Sequence, residues 1–159
     1  MSHPETDNPL GTELLEFIQR RLDESTLTFH TTLPPQRAQY AEWPEWVLPE
    51  LKEKLVEGGV GKLYSHQAEL AQAAWAGEDA MISTGTSSGK SLGYQLPILS
   101  RLAQEPTACA LYLTPTKALG SDQLQAVLEL CRGIPALKGV VPSPYDGDTP
   151  QESLSLIHI

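Results

Sequence analysis

Eight residues constrain this chain more than the rest of it: Thr84-Gly85-Thr86-Ser87-Ser88-Gly89-Lys90-Ser91. An apolar run, Ala80-Met81-Ile82-Ser83, leads in, and a helix-like segment, Ser91 to Leu102, leads out. A strand, a small-residue loop and then Gly-Lys-Ser opening a helix is the layout of a phosphate-binding loop. Consecutive backbone N–H groups in such a loop form an anion nest, and the helix N-terminus adds partial positive charge. All eight residues, Thr84 to Ser91, are therefore candidates for holding a nucleoside triphosphate with Mg²⁺. Lys90 would reach the β- and γ-phosphates and the Ser91 hydroxyl would ligate the metal. The strict pattern has Gly at its first position, where this chain has Thr84. The competing reading is a Gly/Ser turn that caps a helix, with Ser88 or Gly89 as the cap.

At 159 residues the length suits about one domain with a real core. A hydrophobic content of 40% and a charged content of 19% belong to a globular rather than a disordered chain. The net charge of −9 argues against a broad nucleic-acid surface, but it leaves room for a local basic track. Residues 1–60 hold 11 acidic and 5 basic side chains, so much of the acidity lies outside the loop region. Cys109 and Cys131 form no C-x-x-C pair, which suits a reduced, cytoplasmic protein. Cys109 lies in an apolar run and is expected to be buried. No apolar stretch of 18 residues exists and no signal-peptide pattern opens the chain, so neither membrane insertion nor secretion is expected. The histidines at 3, 30, 66 and 158 are scattered and give no metal cluster.

Along the chain, Leu14, Phe17, Ile18 and Leu22 follow helical spacing and predict a helix over 12–22. Trp43 and Trp46 precede a second helix, Pro49 to Glu57, which Gly58-Gly59 ends. Two tryptophans this close either stack on a base or anchor the N-terminal piece, and anchoring is the commoner use of aromatic area. From Gly61 onward strands alternate with helices. Helices are expected over Ser65–Ala76, Gly89–Leu102 and Lys117–Cys131, and strands over Asp79–Thr84, Ala108–Thr114 and Lys138–Val141. The pattern implies an α/β fold with a parallel sheet and ligands beyond the carboxyl ends of its strands.

Three ordered landmarks resemble superfamily-2 DEAD/DEAH-box helicases. They are Leu63-Tyr64-Ser65-His66-Gln67, Ser83 to Leu92 and Thr114-Pro115-Thr116-Lys117-Ala118-Leu119, which correspond to that family's Q motif, motif I and motif Ia. Their spacing is also similar: Lys90 stands 23 positions after Gln67, and Lys117 stands 27 positions after Lys90. Leu92 to Pro97 and Tyr145-Asp146-Gly147-Asp148-Thr149 continue the likeness, which covers about residues 40–152. Within the family, the chain looks most like the bacterial branch related to the mitomycin-repair DNA helicases.

The resemblance implies an incomplete RecA-like P-loop domain over 59–152, preceded by a small helical extension and linker over 1–58. It implies ATP and Mg²⁺ as ligands and a nucleic acid as partner, with one strand tracked; DNA is the first reading and RNA the alternative. Gln67 would read the adenine edge, because an amide offers both a donor and an acceptor; alone, it would be a surface glutamine. Pro115, Thr116 and Lys117 would grip a nucleic-acid phosphate, and Gly147 would let the backbone approach a second one. Lys117 alone would be a solvated charge, and Asp146 and Asp148 are expected to shape their turn. Hydrolysis in this family also needs a Walker B carboxylate, a water-positioning glutamate and arginine fingers from a second lobe. No Asp-Glu-x-His or Asp-Glu-Ala-Asp run occurs here. The expectation is therefore an N-terminal fragment of an ATP-dependent DNA helicase serving repair. The fragment itself would be inactive in hydrolysis, poorly soluble and left with uncovered apolar strand edges. The alternatives are another P-loop NTPase or kinase, or an inert nucleotide-binding module. Residues 153–159 are expected to be non-native, because Leu154 to Ile159 matches one frame of a transposon-end sequencing adapter; an ordinary apolar terminal strand is the competing reading.

Overall fold

The computed structural model describes residues 9–21, 29, 31, 37–85 and 88–149. The proposed tail, Thr86 and Ser87 lie outside the described residues. The chain divides into two units, Met1–Arg37 and Ala38–Ile159.

In the first unit, α1 (Pro9–Arg21) carries an i,i+4 pair between Arg20 and Glu16 at 3.1 Å. The Arg21 guanidinium covers the Phe17 ring at 4.7 Å. Such exposed pairs support a helix by a few tenths of a kcal/mol, about 0.3–0.5 for an i,i+4 ion pair.

The second unit begins with β1 (Tyr40–Ala41), then α2 (Pro49–Glu57), β2 (Leu63–Tyr64) and α3 (Ser65–Trp75). It continues with α4 (Ser91–Gln104), α5 (Lys117–Cys131) and a 3₁₀ turn over Pro135–Leu137. Pro49 starts α2, where a missing N–H costs nothing, and Gly59 leaves it at φ +97°. Val47, Leu51 and Leu55 then meet Leu63, Leu96, Leu99, Ile134 and Leu137 in one apolar core. The Ser100 hydroxyl, buried in α4, accepts the Leu48 N–H at 3.1 Å and so ties the start of α2 to that helix. At the far end of α5, Lys54 donates to the Arg132 carbonyl at 2.7 Å and to that of Glu129, satisfying orphan acceptors. Trp43 and Trp46 anchor rather than wait for a base. Trp43 donates to the Gly61 carbonyl at 3.2 Å, while Trp46 stacks on Trp75 with centroids 4.5 Å apart and donates to Gln72.

The helix that matters for function is α4, and α3 lies tightly against it. Gly93 makes that approach possible: a Cβ there would stand 2.7 Å from Leu70 Cδ2. Close packing of these two helices brings the first turn of α3 to the loop that opens α4.

The expected parallel sheet does not form among the described residues. Their sheet is the two-stranded antiparallel pair β1–β2, with Tyr40 opposite Tyr64 and Ala41 opposite Leu63. Asp79–Thr84 and Ala108–Thr114 run without strand pairing, and Lys138–Val141 leaves the 3₁₀ turn in the same way. A strand exists only through a neighbour's N–H and C=O groups, and among the described residues these segments pair with none. Their apolar side chains stay exposed: Met81 by 96%, Leu111 by 80% and Leu113 by 82%. Cys109, expected to be buried, is exposed for the same reason. No described helix is long and apolar enough to cross a membrane.

Candidate nucleotide and nucleic-acid sites

The loop before α4 is held by its own polar groups and by α3. Lys90 turns its ammonium back onto the carbonyls of Gly85 at 2.6 Å and Thr84 at 3.1 Å, with Ser88 Oγ at 3.4 Å. Thr84 Oγ1 and Ser88 Oγ are 2.6 Å apart, a hydroxyl bridge across the loop. That bridge gives the departure from Gly at the first position a physical purpose. Gly89 takes φ +70°, a left-handed backbone that favours glycine. Ser91 is the first residue of α4 and is half-buried.

Gln67, in the first turn of α3, is only 3% exposed. Its carbonyl oxygen accepts the Tyr64 N–H at 2.8 Å, and its amide nitrogen donates to the Gly89 carbonyl at 2.8 Å. One amide hydrogen and one lone pair remain uncommitted. A neighbour missed as a functional residue joins in: His66 Nε2 donates to the Ser88 carbonyl at 3.0 Å. Among sequence signals, only its position beside Gln67 marked it. The loop residues Thr84, Gly85, Ser88, Gly89, Lys90 and Ser91 thus come together with Gln67.

A second assembly forms at the start of α5. Thr116 caps this helix, its hydroxyl oxygen accepting the Leu119 N–H at 3.3 Å, which leaves the hydroxyl proton free to donate outward. Thr114 Oγ1 donates to the Thr116 carbonyl at 3.0 Å and fixes the approach to the helix. Lys117 pairs with the Asp148 carboxylate and lies 3.9 Å from Asp146 Oδ1. Asp146 shapes its turn as expected, accepting the Asp148 N–H at 2.8 Å, while Thr149 Oγ1 accepts the Asp146 N–H at 2.8 Å. Asp148 does more than shape the turn, because it neutralises Lys117. Pro115, Thr116, Lys117 and Gly147 are thereby placed near one another, and a Cβ at Gly147 would meet nothing within 4 Å.

Tyrosines join the two assemblies. Tyr94 in α4 donates to Gln123 Oε1 in α5 at 2.9 Å, and its oxygen accepts from Tyr112 at 2.8 Å. Burial, and then the bond to Tyr94, push the Tyr112 phenol up to about 12.

Comparison with known proteins decides the family. The DEAD/DEAH box helicase profile matches residues 64–158. The chain belongs to the DEAD/DEAH box helicase family. It is 38% identical over 123 residues to the ATP-dependent helicase hrq1 of Schizosaccharomyces pombe, covering 77% of this chain and 12% of that protein. It is 36% identical over 140 residues to the uncharacterized ATP-dependent helicase YprA of Bacillus subtilis, covering 87% and 18%. Its backbone matches that of the DUF1998 helicase MrfA, solved bound to DNA and AMPPNP, with TM-score 0.69 and 36% identity. That match covers 79% of this chain and 17% of MrfA. The chain therefore spans less than a fifth of the length of these relatives. The likeness to MrfA, hrq1 and YprA bears out the expected kinship with the mitomycin-repair branch, and family membership implies the RecA-like fold, although the parallel sheet is not formed among the described residues. The kinase alternative is not favoured.

Proposed function

We propose that this chain is the nucleotide-binding part of an ATP-dependent DNA helicase. The observation that carries the reading is the direct seating of Gln67 on the loop of Lys90, at 2.8 Å through Gly89. An adenine-reading amide and a phosphate-binding loop are useful only side by side. Gln67 keeps one donor and one acceptor for the adenine edge. Lys90 exchanges its carbonyl partners for the β- and γ-phosphates; in the longer protein its charge would offset the charge that develops in transfer.

Mg²⁺ suits Ser91, whose hydroxyl opens α4 next to the loop. No group of three His, Cys, Asp or Glu side chains among the described residues could hold a metal, so phosphate oxygens and water would supply its other ligands. The ion would supply positive charge to offset the negative charge of the phosphates.

Thr116, with Pro115 and Gly147 beside it, offers a hydroxyl proton and open backbone to a nucleic-acid phosphate. Lys117 joins once it is released from Asp148. DNA is favoured over RNA because the MrfA relative was solved bound to DNA. With no Asp-Glu-x-His or Asp-Glu-Ala-Asp run in the chain, these 159 residues bind ATP without turnover, and unwinding of a tracked strand belongs to the longer protein. The two free cysteines suit a reduced cytoplasm.

The test of the second site is Thr116→Ala, read by fluorescence anisotropy with labelled single-stranded DNA. We expect several-fold weaker DNA binding with unchanged ATP affinity. Equal DNA binding by the variant and the parent sequence would remove Thr116 from the interface.

A further inference from the structure

We infer that His66 is a positioning residue for the phosphate loop: by holding the Ser88 carbonyl it aims the Gly89 N–H at the bound phosphates. The inference rests on the nucleotide reading above and assigns that site a residue it did not include.

Two consecutive side chains of α3 hold two consecutive carbonyls of the loop. His66 Nε2 donates to Ser88 at 3.0 Å and Gln67 Nε2 donates to Gly89 at 2.8 Å. A carbonyl only accepts, so the imidazole proton sits on Nε2. In a trans peptide the C=O and the following N–H point to opposite sides, and the chain has no cis peptide among its described residues. Drawing the Ser88 oxygen toward α3 therefore turns the Gly89 N–H away from α3. Gln67 does the same for the Lys90 N–H. An anion nest works only when its N–H groups converge, and the clasp supplies that convergence before any ligand arrives.

The imidazole is itself held in place. It stacks on Tyr64 with centroids 5.5 Å apart and planes at 9°, and Tyr64 stacks on Tyr40 at 5.3 Å and 17°. The β1–β2 pair sets Tyr40 opposite Tyr64, so this two-stranded sheet fixes the ring that fixes the loop.

Three variants of the full 159-residue chain separate donation from packing. H66F keeps a ring on Tyr64 and loses the donor. H66Q restores an N–H at similar reach, and H66A removes both. Titration with a fluorescent ATP analogue and Mg²⁺ should show H66F about tenfold weaker than the parent sequence and H66Q within about threefold of it. Thermal melting checks that H66F remains folded. Amide hydrogen exchange without nucleotide should be faster at Gly89 and Lys90 in H66F and restored in H66Q. Unchanged exchange in H66F overturns the inference whether or not ATP binds, as does H66Q no better than H66F in both assays. Altered and rescued exchange in a chain that binds no ATP at all sustains the loop-positioning role and overturns the nucleotide reading instead.

Discussion

Gly89 carries two demands that no other residue type meets together. Its φ of +70° is a left-handed backbone, and a Cβ would stand 2.5 Å from the Gln67 amide nitrogen. Gly89→Ala should lower stability by about 1–2 kcal/mol through the backbone alone. It should also weaken nucleotide binding, because the displaced amide gives up the Gly89 carbonyl. Urea unfolding checks the first effect and a nucleotide titration the second. Gly89, Lys90 and Ser91 were legible in the sequence because phosphate binding needs these residue types in this order. The role of Thr84 was not, since its reason is a hydroxyl four residues away. His66 was illegible for a related cause: a single histidine has no spacing pattern, and its partner is a backbone carbonyl that sequence does not label.

Among the elements, the helices were the readable part. The second predicted helix, Pro49 to Glu57, and the last, Lys117 to Cys131, have the expected bounds because proline, glycine and threonine mark their ends. What joins the elements was not readable, and the tyrosine link between α4 and α5 is the clearest case. Burial and the bond to Tyr94 push its Tyr112 phenol up from 10 to about 12. A raised pKa means that the folded state holds the proton more tightly than the unfolded state does. This contribution is complete below pH 10 and is lost as pH rises toward 12. Thermal melts between pH 9 and 11.5 should show stability falling across that window, and Tyr112→Phe should reduce the fall. An identical slope in the variant would mean that the link contributes nothing.

At the scale of the whole molecule, sequence and structure part over the sheet. The runs 79–84 and 108–114 carry strand-like residues, but pairing is a property of two segments, and periodicity describes only one. Cys109 follows its segment to the surface, whereas Cys131 is half-buried on α5 with its thiol pushed up by burial, an effect the charge of Lys54 partly offsets. Alkylation at neutral pH should therefore modify Cys109 well before Cys131, as read by mass spectrometry of the intact chain and its peptides. Equal rates would mean that 108–114 is covered in solution.

The central claim is that this chain binds adenine nucleotide through the loop that Gln67 and Lys90 share. The most direct test is calorimetric titration of the 159-residue chain with AMPPNP and Mg²⁺, alongside Lys90→Ala. The account predicts saturable one-site binding that Lys90→Ala weakens by more than about tenfold, the expected loss of hydrogen bonds to a charged group. Binding that survives Lys90→Ala unchanged, or no binding by the parent sequence, would contradict it.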